Sequence, residues 1–125
     1  MVNYQLIQPQ EIEVFYILPT IRRYLTVFMK EYGLSQKKIA ELLHIKESTV
    51  SQYISSKRAS KINFEENIQK EIRLSANKIN NKADLIRETQ KILGIIRNNN
   101  ILCKVHRKLA GLPEDCKINI MKCCE

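Results

Sequence analysis

A chain of 125 residues, 44% hydrophobic and 27% charged, has the size and composition of one folded domain with room for an appended segment. The formal net charge of +8 suits a polyanionic partner, although many basic proteins have no such partner. The sequence has no apolar run of about 18 residues, which excludes a membrane-spanning helix. Its first residues lack the basic start and apolar stretch of a secretory signal, which predicts a cytoplasmic protein.

Two helical patterns precede the middle of the chain. Apolar residues recur at the spacing of one helix face from residue 11 to Gly33, but Pro19 interrupts them. Proline disfavours helix at the preceding residue and fits the first turn of a new helix. We therefore predict a short helix over residues 11–17 and a longer one from Pro19, with Gly33 as its C-cap.

The segment from Leu34 to Arg58 has the spacing of two short helices joined by a tight turn. Ser35 is placed to cap the first helix, and residues 44–47 connect it to the second. The apolar face of the first helix contains Ile39, Ala40 and Leu43, and that of the second contains Val50, Tyr53 and Ile54. Two helices in this arrangement form a helix-turn-helix, whose second helix enters the major groove of DNA.

The opposite face of the second predicted helix carries side chains that can read bases. It contains Ser48, Thr49, Ser51 and Gln52. Hydroxyl groups pair with several base edges, and an amide can pair with adenine N6 and N7. The flanking cations Lys46, Lys57, Arg58 and Lys61 are expected to neutralise phosphates and to make binding depend on salt. Arg22 and Arg23, on the preceding helix, are either a solvated basic face or further phosphate contacts.

The residues IAELL, the turn after them and ESTVSQY resemble the XRE/Cro/C1 type of helix-turn-helix regulator. With the fragment YILPTIRRYL, the chain is also similar to a group of small archaeal predicted regulators that carry this motif, a helical segment and a cysteine-containing tail. The resemblance implies a sequence-specific transcription regulator, with repression as the default mechanism. It also implies a phosphate contact for Gln36 and base-facing positions for Glu47, Ser48 and Gln52. His44 stands where the family usually has a glycine with positive φ, and we expect it to adopt that conformation at some cost.

Two further helices are predicted after a polar loop, over residues 64–79 and 82–97. Their apolar stripes exceed what a small DNA-binding core needs, and helix-turn-helix proteins commonly bind paired half-sites as dimers. We therefore predict a DNA-binding core in residues 1–60 and a helical homodimerisation extension in residues 61–100. The alternative is that these helices fold back and complete a monomeric core.

Residues 101–125 contain all four cysteines and one of the two histidines. Disulfides are not expected in a cytoplasmic chain. The spacing allows a tetrahedral zinc site with the ligands Cys103, His106, Cys116 and Cys123, or Cys124 as the fourth. An iron–sulfur or redox-sensing site and unliganded thiols are the alternatives. The similar archaeal regulators end in a second Cys-x2-Cys pair, whereas this chain has Asn119 at one of those positions.

The sequence shows no pattern of a catalytic site. Three glycines provide no phosphate-binding loop, and neither a Ser/His/Asp set nor paired carboxylates are evident. We predict an all-α protein that is not an enzyme and that binds double-stranded DNA as a homodimer, with no membrane partner. An ordinary helical hairpin or a non-catalytic module that binds protein or RNA is the alternative. Ser48, Thr49 and Gln52 would then have little effect on binding.

Overall fold

The computed structural model describes residues 8–110, without the side chains of residues 109–110. Within that range the chain is helical and contains no strand, which confirms the predicted all-α fold. The elements are α1 (Pro9–Ile12), a π-helical segment (Glu13–Ile17), α2 (Leu18–Glu31), α3 (Gln36–Leu43), α4 (Glu47–Ile54), α5 (Glu66–Ala76), α6 (Lys82–Asn98) and α7 (Ile101–Ala110). No helix in the described part of the chain is long and apolar enough to cross a bilayer.

The two helices predicted on either side of Pro19 form one continuous helical path. α1 passes through the π-helical segment into α2, and the Leu18 N–H donates to the Glu13 carbonyl, five residues earlier. Pro19 has no N–H and occupies the first turn of α2. The wider π turn accommodates the proline without a loop, so our prediction of a break there was wrong.

Three consecutive helices end in the same left-handed turn. Gly33 (φ 91°), His44 (φ 54°) and Ser56 (φ 59°) follow α2, α3 and α4. After each, the next N–H donates to a carbonyl five residues earlier: Leu34 to Met29 (3.2 Å), Ile45 to Ala40 (3.1 Å) and Lys57 to Gln52 (2.9 Å). The predicted Gly33 cap and the left-handed His44 are confirmed, whereas the turn at Ser56 was not predicted.

The left-handed conformation of His44 leads to a stability prediction. A non-glycine residue in this region loses roughly 1–2 kcal/mol of stability. Glycine avoids that cost, but its greater freedom in the unfolded chain cancels about half of the gain. Because the His44 side chain is exposed, His44→Gly should raise the free energy of unfolding by about 0.5–1 kcal/mol. Urea denaturation would measure the change. Lys61→Gly, at an exposed loop residue outside the left-handed region, should not stabilise the protein. Equal effects of the two changes would contradict this account.

Helix α2 lies at the centre of the core. It packs against α3, α4 and α5, while α6 packs against α3, α5 and α7. Tyr24 of α2 stacks on Phe64 with 5.4 Å between ring centroids, and its hydroxyl accepts the Phe64 N–H at 3.2 Å. Phe64, predicted to lie within a helix, is therefore buried from the loop before α5.

Helices α5 and α6 contribute their apolar faces to the same core. Their buried apolar residues are Ile68, Ile72, Ala76, Ile92, Leu93 and Ile96. The stripes that suggested a dimer interface are thus covered within the chain, as in the alternative we considered. Leu74 (50% exposed) and Ile86 (56% exposed) are the large apolar side chains of these helices that stay exposed. Homodimerisation through residues 61–100 stays a prediction, and Leu74 and Ile86 are available for an apolar contact between two copies.

An ion pair joins the beginning of the described chain to the end of α6. The Arg97 guanidinium donates to both carboxylate oxygens of Glu13, with Nη2–Oε2 at 2.7 Å and Nε–Oε1 at 3.2 Å. Glu13 is only 7% exposed, so its charge needs this two-point partner. The pair therefore holds the π-helical segment against the C-terminal half of the fold.

Candidate nucleic-acid interface

The core fixes α4 so that its polar face points outward. Ser35 caps α3 by accepting the Lys38 N–H at 3.1 Å, as predicted. Ile39 and Val50 are fully buried between the two helices and α2. Ala40, small and almost buried, allows the close approach of α4. The predicted pair of short helices and its turn are therefore present.

The base-reading residues predicted from the sequence lie on one exposed face. Glu47, Ser48, Ser51 and Gln52 of α4 are exposed, and Thr49 is half-buried. The Ser51 hydroxyl donates to Gln36 Oε1 at 3.0 Å, which joins the start of α3 to the middle of α4. Because its oxygen accepts this bond, the Gln36 amide keeps its N–H groups as donors, the polarity that phosphate oxygens require.

A shallow concavity of ≈ 450 Å³ lies along the first turns of α4. Its lining includes Ser48, Thr49 and Gln52, together with the cations Arg22, Lys46 and Arg58. No acidic residue lines it, so the concavity is cationic. Lys57 and Lys61 are also exposed, in the loop after α4.

Arg22 and Arg23 have different surroundings. Arg22 is exposed and lines the concavity. Arg23 instead donates to the Ile62 carbonyl at 2.8 Å, and its guanidinium lies 4.5 Å from the Tyr24 ring centroid. Of the two arginines that the sequence left open as phosphate contacts, Arg22 is thus the candidate site residue. The sequence alone does not distinguish two adjacent arginines. They differ in the structure because their side chains leave α2 in different directions.

The Arg58 side chain returns over α4. Its Nη1 donates to Gln52 Oε1 at 3.2 Å and to Thr49 Oγ1 at 3.4 Å. The left-handed turn at Ser56 reverses the chain after α4, and Ala59 (φ 56°) reverses it again. Arg58 is therefore held beside two residues that were predicted to face bases.

The N-terminus of α4 is open on the same side. Lys46 occupies the N-cap without a side-chain hydrogen bond to the first turn. The positive end of a helix dipole and its backbone N–H groups attract anions such as phosphate. Glu47 in the first turn offsets part of this field, while Lys46 adds to it.

The predicted zinc ligands are only partly within the described residues. Cys103 and His106 lie three residues apart on α7, and both side chains are buried. Cys116, Cys123 and Cys124 lie outside the described residues. Between residues 8 and 110, no group of three or more His, Cys, Asp or Glu side chains could hold a metal ion.

Comparison with known proteins agrees with this geometry. Residues 28–64 match the family model described as helix-turn-helix, a range that includes α3, the turn, α4 and the Arg58 loop. Neither the comparison with curated proteins nor that with solved structures found a match. The similarity to archaeal regulators with a cysteine-containing tail stays a prediction. The match supports a helix-turn-helix of the XRE type in residues 28–64.

Proposed function

We propose that this protein is a sequence-specific transcription regulator that binds double-stranded DNA with α4 in the major groove. The observation that carries the proposal is the exposed polar face of α4, bordered by cations and free of apolar cover. An α-helix fits the major groove, where every base pair presents a distinct pattern of donors and acceptors. A regulator of this kind acts in the cytoplasm, as the sequence predicts.

The side chains divide into two roles. Gln36, Lys46 and Lys57 would bind phosphates and set the position of the protein on the duplex, with Arg22 as a further contact. The residues facing base edges would be Glu47, Ser48, Thr49 and Gln52. Ser51, through its hydrogen bond to Gln36, would orient the phosphate-binding amide.

Repression by a homodimer completes the proposal. Two copies related by a two-fold axis would place two α4 helices one DNA turn apart, and occupancy of a promoter would then exclude polymerase. The exposed Leu74 and Ile86 support an apolar contact between copies. Sedimentation at concentrations on the order of tens of micromolar tests this step, because half-site recognition needs a dimer at working concentration. A monomer there would contradict it.

Direct reading of bases leads to a measurable prediction for Gln52. Gln52→Ala should cost about 1–3 kcal/mol of binding free energy on the preferred duplex, because the amide no longer pairs with a base edge. Binding to an unrelated duplex should change little. Fluorescence anisotropy with both duplexes measures the difference. Gln90→Ala, at an exposed glutamine of α6, is the matched control and should change neither affinity.

A module that binds a protein partner is the second candidate, and one groove favours it. The groove of ≈ 530 Å³ lies between α2, the α3–α4 turn and α6, and its apolar lining includes Leu43, Ile45, Leu85 and Ile86. In this case the polar face of α4 would be a solvated surface. Gln52→Ala would then leave the duplex preference unchanged, which is the result that would favour this candidate.

Metal binding at the C-terminal end is a separate proposal. Its support is that Cys103 and His106 share one face of α7 and are buried together. Zinc held by these residues with Cys116 and Cys123 would fix the tail against α7. An iron–sulfur cluster on the same thiolates is the other form of this proposal. Elemental analysis of anaerobically purified protein tests both, and less than about a tenth of a metal ion per chain would contradict them.

A further inference from the structure

The contact between Arg58 and Gln52 changes which base α4 can select. Arg58 Nη1 lies 3.2 Å from Gln52 Oε1 and 3.4 Å from Thr49 Oγ1. All three residues line the cationic concavity, and Arg58 and Gln52 are exposed. The pair therefore stands on the surface that would meet DNA under the proposed function, on which this inference rests.

The chain on both sides of Arg58 is held in place. Ser56 adopts the left-handed conformation, and the Lys57 N–H closes the turn on the Gln52 carbonyl at 2.9 Å. Ala59 is also left-handed, which an alanine adopts only when its surroundings require it. Asn63, four residues after Ala59, accepts a hydrogen bond from Arg23 of α2 at 3.2 Å, which ties the loop to that helix. These contacts hold the backbone on both sides of Arg58, from which its side chain reaches Gln52.

This contact occupies one of the two lone pairs of Gln52 Oε1. A guanidinium has only donors, so the side of the Gln52 amide that faces Arg58 must be its oxygen. An amide reads adenine by accepting from N6 while donating to N7. With Oε1 directed at Arg58, the Gln52 amide presents mainly its Nε2 donors to a base, and Arg58 adds the donors of Nε and Nη2 beside them.

We propose that Arg58 makes Gln52 select guanine rather than adenine. Guanine presents two adjacent acceptors in the major groove, N7 and O6, which match a surface where donors outnumber acceptors. Adenine presents N7 beside the N6 amino group, which would face these donors and have only the second lone pair of Gln52 Oε1 to donate to. Arg58 is therefore a specificity-determining residue, acting through the orientation of Gln52 and through its own donors.

The test is selection from a pool of duplexes with a randomised central segment, followed by sequencing. The wild-type chain should enrich guanine at the base pair that Gln52 faces, identified as the position whose preference is lost in Gln52→Ala. Arg58→Ala removes the hydrogen bond to Gln52 Oε1, so that this oxygen can accept from adenine N6. The substitution should shift the guanine-to-adenine ratio there about tenfold or more towards adenine. Lys57→Ala, which removes the neighbouring charge, should weaken binding and leave that ratio unchanged.

Each other outcome contradicts a defined part of the account. Enrichment of adenine by the wild-type chain overturns the inference, and so does uniform weakening by Arg58→Ala without a change of base, since Arg58 would then only bind phosphate. In both cases the proposed function stands. If the wild-type chain enriches no sequence, the proposed function fails and the inference fails with it. Thermal melting by circular dichroism checks that Arg58→Ala folds, as its exposed position leads us to expect.

Discussion

Replacing both Lys46 and Lys57 by glutamate should weaken binding to any duplex by at least about a hundredfold at roughly 0.1 M salt. Each lysine that neutralises a phosphate releases a counterion, which contributes roughly tenfold at this salt concentration. The new carboxylates would in addition repel the DNA. The salt dependence should become shallower by about two units, since two phosphate contacts are lost. Anisotropy titrations at several salt concentrations measure both quantities.

A control with the same change of charge separates local contacts from net charge. Lys70→Glu with Lys78→Glu alters two exposed lysines in and after α5, outside the lining of the concavity. This variant should lose much less affinity and keep most of the salt dependence. If the two double variants weaken binding equally, the cationic surface around α4 is not the DNA-binding surface.

Ile72→Ala should lower the free energy of unfolding by about 2–5 kcal/mol. Ile72 lies on α5, outside the matched residues 28–64, yet its side chain is fully buried in the common core. Removing three carbons there loses apolar burial and leaves a cavity. The loss should not depend on protein concentration, because the contacts are within one chain. Urea denaturation at two concentrations measures it.

The exposed neighbour Leu74 is the control for this prediction. Leu74→Ala removes a side chain of similar size from the same helix, but one that is half in solvent. Its effect should be within about 0.5 kcal/mol under conditions where the protein is monomeric. A small effect of Ile72→Ala would contradict the single core and would favour a separate helical extension.

The sequence was sufficient to predict the helix pair. Ser35, the apolar positions of α3 and α4, and the polar face of α4 all follow local spacing rules, which the structure confirms. His44 was identified as left-handed because the resemblance places glycine there. These features depend on residues within about two helical turns of each other, so that a single sequence reveals them.

Features that depend on distant contacts were not predicted. The apolar stripes of α5 and α6 are the same whether they cover a core or a partner, and only their packing against α2 and α3 distinguishes the two. The π-helical segment before Pro19 replaces the expected break. The contact of Arg58 with Gln52 follows from left-handed residues at Ser56 and Ala59, which are not glycines and gave no signal.

One titration distinguishes specific recognition of DNA from attraction by charge alone. Purified protein, kept anaerobic to protect its cysteines, is titrated into labelled duplex from the region upstream of its own gene, with scrambled duplex as competitor and salt varied. We expect binding that withstands the competitor by about a thousandfold or more and that weakens steeply with salt. Equal, weak binding to both duplexes would contradict it, because charge alone would then explain the interaction.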